Sequence, residues 1–186
     1  MLRKILAGFG AQGKLLACSA VLLAGCASTA AVTPVTVPDN LKVAPDQIMT
    51  LEAKATGVQI YQCAVAKADP SQFEWQFVAP QADLFDLNGQ KIGKHYAGPT
   101  WESSDGSKVV GAVQANSKSP DANDIPWLLL SAKSTSGIGT FGLTKSIQRL
   151  QTLGGTAPPD GCDQAHLGQE TRAPYQAVYR FYAAKS

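Results

Sequence analysis

The sequence predicts an all-β fold, a mainly antiparallel β-sandwich or barrel with at most one short helix. Three features carry that prediction: short runs of β-branched and aromatic residues recur between turn signals, two pairs of runs have hairpin signatures, and the last run alternates strictly.

Residues 48–55 and 57–65 read as strands, the second carrying Val58, Ile60, Tyr61 and Val65. Residues 75–78 form a third, ended by Ala79 and Pro80. Residues 83–87 and 91–96 flank Asn88-Gly89, a pair that supplies positive φ to a tight hairpin turn. Residues 100–103 and 108–115 flank Ser104-Asp105-Gly106-Ser107 in the same way. Another apolar strand starts at Trp127. Residues 143–153 are the one helical candidate, because Ile147, Leu150 and Leu153 fall near one face at a spacing of three. In the final segment Tyr175, Ala177, Tyr179, Phe181 and Ala183 alternate with Gln176, Val178, Arg180 and Tyr182, giving a strand with one aromatic face that closes the sheet.

The amino terminus has another character. Arg3, Lys4 and Lys14 precede an uncharged, mostly apolar run ending Leu23-Ala24-Gly25-Cys26, the layout of an export signal closed by a lipobox-like site. Residues 1–25 are expected to be a lipoprotein signal peptide and Cys26 the lipidated first residue of the mature chain. The apolar run is short for a bilayer span. Cys18 is a poorer acceptor, since Leu16 stands where a small residue is preferred. Ordinary cleavage at an Ala-x-Ala-like site and retention as an uncleaved anchor compete with lipidation as fates of this leader. Residues 26–44, rich in Ala, Thr, Val and Pro, are expected to be a flexible tether, and residues 45–186 a single β-rich domain. Ala27 and Ser28, with no aspartate beside the cysteine, point to an outer-membrane lipoprotein facing the periplasm.

Of the 16 Lys and Arg, three lie in the leader, so the mature chain carries 13 against 14 acidic residues, a formal charge of −1. That balance argues against a nucleic-acid partner. With Cys26 acylated and Cys18 removed, Cys63 and Cys162 remain in an oxidising compartment and are expected to pair, the alternative being two unrelated thiols.

After the strand at Trp127, Gly137-Ile-Gly139-Thr-Phe-Gly142 spells Gly-x-Gly-x-x-Gly, the phosphate-binding pattern of dinucleotide folds. Its context is wrong. No strand–helix series precedes it, and Asp160, at the offset of a ribose acid, follows two prolines in a loop. A nicotinamide cofactor is therefore not expected, and neither is any other cofactor; the segment reads as a glycine-rich β-loop passing close to other backbone.

Chemistry-bearing residues concentrate between His95 and Asp105. A binding surface for envelope glycan or a small molecule would use His95, Tyr96, Trp101, Glu102, Asp105, Trp127 and Arg149, with the rings as stacking platforms and Arg149 as an anion clamp. The plainer reading puts the aromatics in the core and pairs Arg149 with Glu102. A metal site would draw on His95 and His166, with Glu102 or Asp163. An acid–base hydrolase would pair Glu102 with Asp105 or His95. No Gly-x-Ser-x-Gly elbow is present.

Several blocks together, Gly57-Val-Gln-Ile-Tyr-Gln-Cys63, His95-Tyr-Ala-Gly-Pro-Thr-Trp-Glu102 with Asp105-Gly-Ser107, Ile125-Pro-Trp-Leu-Leu-Leu130, Ile147-Gln-Arg149, Gly154-Gly155, Gly161-Cys162 and Pro174-Tyr175 with Phe181-Tyr182, resemble the family known as domain of unknown function 3455. The resemblance implies export and adds weight to the pairing of Cys63 with Cys162, but brings no activity or site. The expectation is a lipid-anchored envelope protein acting as a binding or structural module rather than an enzyme, the alternative being a metal-dependent or acid–base hydrolase at the His95–Asp105 segment.

Overall fold

The computed structural model describes residues 35–185. The expected leader, Cys26 and the first part of the expected tether lie outside the described residues.

Eight strands follow in order: β1 Gln47–Val65, β2 Phe73–Phe85, β3 Lys91–Tyr96, β4 Thr100–Ser103, β5 Lys108–Ser117, β6 Trp127–Ser136, β7 Ser146–Gly154 and β8 Glu170–Ala184. Each pairs antiparallel with its successor, and β8 returns to pair with β1, so the sheet closes into an up-and-down barrel. The fold is all-β, as the sequence predicts. Closure decides between the sandwich and the barrel that the sequence left open.

Both hairpin signatures form where expected. Gly89 and Gly106 take positive φ in the turns after β2 and β4. The runs 48–55 and 57–65 are one strand, β1, because Gly57 continues the ladder and lies tight against Ala82 of β2. The third strand does not stop at Pro80. It runs on to Phe85, with Pro80 opposite Gln59 beside a bulge at Ile60 and Tyr61, where the ladder tolerates a missing donor.

The period-two pattern of β8 is borne out. Tyr175, Ala177, Tyr179 and Phe181 are buried inside the barrel, where they pack with Leu84, Trp101, Leu130 and Ile147. Trp101 meets Tyr179 and Phe181 edge-on at 5.3 and 6.0 Å between ring centroids, and Phe141 packs on Phe181 at 4.6 Å. Burying such a side chain stabilises by about 1.5–3 kcal/mol, and a well-placed aromatic pair adds about 0.5–1.5 kcal/mol. Gly111 makes room for this cluster, since a Cβ there would lie 2.9 Å from the Trp101 ring.

Residues 143–153 are not helical; most of them form β7. Ile147 faces the interior, whereas Gln148 and Leu150 are buried on the outer face, so the strand lacks a solvent side. Two buried faces produce apolar residues at irregular spacing, which imitates a helical stripe. Leu153 is exposed, beyond a bulge where Gln151 takes φ 48°.

What covers that outer face is the end of the expected tether. Residues 35–44 lie against the barrel: Leu41, fully buried at the end of a single 3-10 turn, packs on Trp127 and Leu150, with Val35 and Val37 beside it. Its carbonyl accepts a 2.6 Å hydrogen bond from Gln148 Nε2. Few apolar residues are needed, because the barrel presents a matching apolar patch.

The long connection from β7 to β8 is tied down by the Cys63–Cys162 disulfide, whose Cα atoms lie 5.3 Å apart across a separation of 99 residues. Backbone bonds between Cys63 and Gly168 and Gln169, and one from the Trp75 indole to the Asp160 carbonyl, hold the same segment. In the chain-entropy account a loop of this length contributes up to about 4.7 kcal/mol. Reduction, or the double change Cys63→Ala with Cys162→Ala, is expected to cost about 3–4 kcal/mol and lower the melting temperature by roughly 10 °C in thermal unfolding followed by circular dichroism.

Candidate functional site

The barrel is plugged at one end and open at the other. The plug is the glycine loop after β6. Asp105 Oδ2 accepts from the Thr140 amide and hydroxyl at 2.9 and 2.7 Å, while Oδ1 accepts from the Ser107 amide and hydroxyl at 2.8 and 2.6 Å. Ser107 Oγ in turn accepts from the Phe141 amide, which sets Phe141 into the interior. Gly137 and Gly139 take positive φ, and a Cβ on Gly139 would stand 2.6 Å from the Asp105 carboxylate. The Gly-x-Gly-x-x-Gly sequence is thus a β-loop folded closely on a carboxylate. Asp105 is occupied in building it, and those donors hold its carboxyl far below the usual range.

At the opposite end the interior is unfilled. A cavity of about 440 Å³ lies between Tyr61, Phe77, Pro99, Val113, Ile125 and Pro126, with Gln59, His95, Trp101, Arg149 and Tyr179 on its wall. The lining is mostly apolar. Phe77, Val78 and Val113 at the rim are exposed.

His95 belongs to this wall. Its ring stacks on Trp101 at 4.3 Å with 12° between planes and meets Tyr179 edge-on at 5.1 Å. Nδ1 lies 2.9 Å from the Thr100 carbonyl, which can only accept, so Nδ1 carries the proton and Nε2 is left as an acceptor. Burial drives the imidazole down to about 3, against the Thr100 hydrogen bond, and the positive charge of Arg149 acts in the same direction as burial. The ring is neutral at ordinary pH.

Arg149 projects from β7 on the same side as Ile147. Its Nε and Nη2 both donate to the Pro126 carbonyl, at 3.1 and 2.8 Å. The expected pairing with Glu102 does not form, because adjacent residues of β4 point to opposite faces: Trp101 faces inward opposite His95, and Glu102 faces outward opposite Lys94. On that outer surface Glu102 accepts a 2.6 Å hydrogen bond from Tyr96 and sits 3.3 Å from Lys108 and 3.6 Å from Lys94. The Tyr96 hydroxyl, with the lysines, lowers its pKa. Among the described residues no carboxylate lies within salt-bridge distance of Arg149.

The sequence-derived candidates therefore separate into four places. His95, Trp101 and Arg149 share the cavity. Tyr96 and Glu102 form an outer network, and Asp105 staples the plug. Trp127 is buried on the outer face under Leu41 and gives no stacking platform to the cavity. The acid–base pairings of Glu102 with Asp105 or His95 fail on this geometry. His166 is half-buried, with Nδ1 2.7 Å from Asp163, on the disulfide-bonded connection, and His95 is buried in β3. Among the described residues no three His, Cys, Asp or Glu side chains are grouped to hold a metal ion.

Sequence reasoning missed Gln59, Tyr61 and Tyr179 as site residues. The inward face of β8 marked Tyr179 as buried, but nothing local marked it as bordering empty space.

A closed β-barrel plugged by a glycine loop over packed aromatic side chains at one end, with a lined cavity at the other, is the class of protein that these features define. Residues 44–183 match the family described as protein of unknown function (DUF3455), and the chain belongs to that family. No curated protein shows significant sequence similarity to the chain.

Because the buried His95 stays neutral down to about pH 3 while an unfolded histidine takes up a proton near 6.5, stability is full above pH 6.5 and falls as pH drops toward 3. His95→Phe, which keeps a ring against Trp101, is expected to reduce that slope by up to about 1.4 kcal/mol per pH unit in urea titrations across this window.

Proposed function

We propose that this protein is an exported, lipid-anchored binding module of the cell envelope whose barrel holds one small, mainly apolar ligand. The supporting observation is the open cavity of about 440 Å³ inside a barrel whose other half is filled by aromatic side chains. Eight-stranded barrels are just wide enough to be packed solid or to hold one small ligand. Sites of this kind are concave, mostly apolar and furnished with a few polar groups, as this one is. The chemistry favours binding over hydrolysis, since among the described residues no aspartate or glutamate lines the cavity beside His95, and the outward Glu102 is engaged by Tyr96 and two lysines.

The export and anchoring part of the proposal rests on the Arg3-to-Cys26 sequence pattern. Mass spectrometry of protein from membranes of the native cell is expected to find an acylated amino-terminal Cys26; a mature chain without acyl groups would reject it.

The binding part is tested with a neutral apolar dye, N-phenyl-1-naphthylamine. Its fluorescence is expected to rise on mixing with the purified domain and to saturate at one molecule per chain. Val113→Trp, which places a bulky ring at the exposed rim, is expected to weaken binding about tenfold or more while leaving the melting temperature within a few degrees. Absence of saturable binding would reject the cavity as a ligand site.

A further inference from the structure

We infer that the ligand of this cavity is a small organic carboxylate, its apolar body against the rim and its carboxylate on the free edge of the Arg149 guanidinium. The inference deepens the binding-module reading and depends on it. It starts from a hydrogen-bond inventory. Gln59 Nε2 and Trp101 Nε1 belong to cavity-lining side chains that are at least nine-tenths buried, and neither has a partner among the described residues. Buried donors without partners cost about 1–3 kcal/mol each, so a wall that keeps two of them is short of acceptors.

Charge points the same way. Arg149 is the one permanently charged residue among those lining the cavity, and no aspartate or glutamate joins it there. Its Nε and Nη2 protons that face Pro126 are used, which leaves Nη1 and the remaining Nη2 proton, the end-on edge of the fork that binds a carboxylate with two parallel bonds. Its charge is felt at Tyr61, His95 and Tyr175, and the Tyr179 hydroxyl lies within hydrogen-bonding reach of the guanidinium, so it stands among the polar groups of this end of the barrel. The mostly apolar remainder, Phe77, Val78, Val113 and Leu128 among it, suits a hydrocarbon or aromatic body. A phosphate-sized dianion fits poorly, because one guanidinium would have to balance two charges in an apolar surround.

The test compares 2-naphthoate with 2-naphthalenemethanol, equal in shape and differing in charge, by calorimetry at pH 7. Wild type is expected to bind the carboxylate about tenfold more tightly, and raised salt is expected to narrow the gap. Arg149→Met is expected to abolish the preference while retaining alcohol binding, which also reports that the variant is folded; should it not fold, the wild-type pair decides alone. Equal wild-type affinities, or a preference that survives Arg149→Met, would overturn the carboxylate and leave the apolar site standing. Binding of neither compound would overturn both.

Discussion

The pairing of β8 with β1 is the constraint on which the molecule depends. It runs from Gln47 opposite Ala184 to Gln62 opposite Glu170, and it turns a meander of hairpins into a closed surface. Once closed, each strand has an inside and an outside fixed by the pleat, and eight strands set an interior just wide enough for side chains to fill or to hold one small ligand. Trp101, Phe141, Tyr179 and Phe181 fill one half of that interior. In the other half Tyr61 and Phe77 stand at the wall with Pro99, Val113 and Pro126, around open space. The cavity is thus a consequence of where the aromatic residues fall along the strands.

The two ends of the barrel handle polar groups in opposite ways. At the plugged end Asp105 gathers four donors from Ser107 and Thr140, so a carboxylate and a glycine loop satisfy one another completely. At the open end Gln59 Nε2 and Trp101 Nε1 have no partner, and the Arg149 guanidinium no carboxylate, among the described residues. A structural polar cluster closes its own hydrogen bonds; a recognition surface leaves some open. The contrast within one barrel is what distinguishes Asp105, which looked like site chemistry in the sequence, from Arg149.

Much of the fold was legible because its signals are local. Asn88-Gly89 and Asp105-Gly106 announced their turns through the positive φ that glycine accepts, and Tyr175 to Ala183 announced a strand by strict alternation. The misreadings share a cause. Residues 143–153 looked helical and residues 35–44 looked like free tether because each is buried by the other across the outer face of β7. Neither segment alone carries a sign of that contact. The candidate site was legible only in part for the same reason: His95, Trp101 and Arg149 were named, but so were Glu102, Tyr96 and Trp127, which adjacent positions on a strand send to the opposite face.

The sequence by itself determined the all-β class, the turns and the two cysteines available to pair, since period-two alternation, turn chemistry and residue counts act over a few residues or over the whole composition. The tertiary structure decided that the sheet closes, which side of each strand faces the interior, and that Gln59, His95, Arg149 and Tyr179 border one space. Those facts depend on strand register across the barrel. A shift of one residue would exchange inside for outside along a whole strand, and no short stretch of sequence records which register wins.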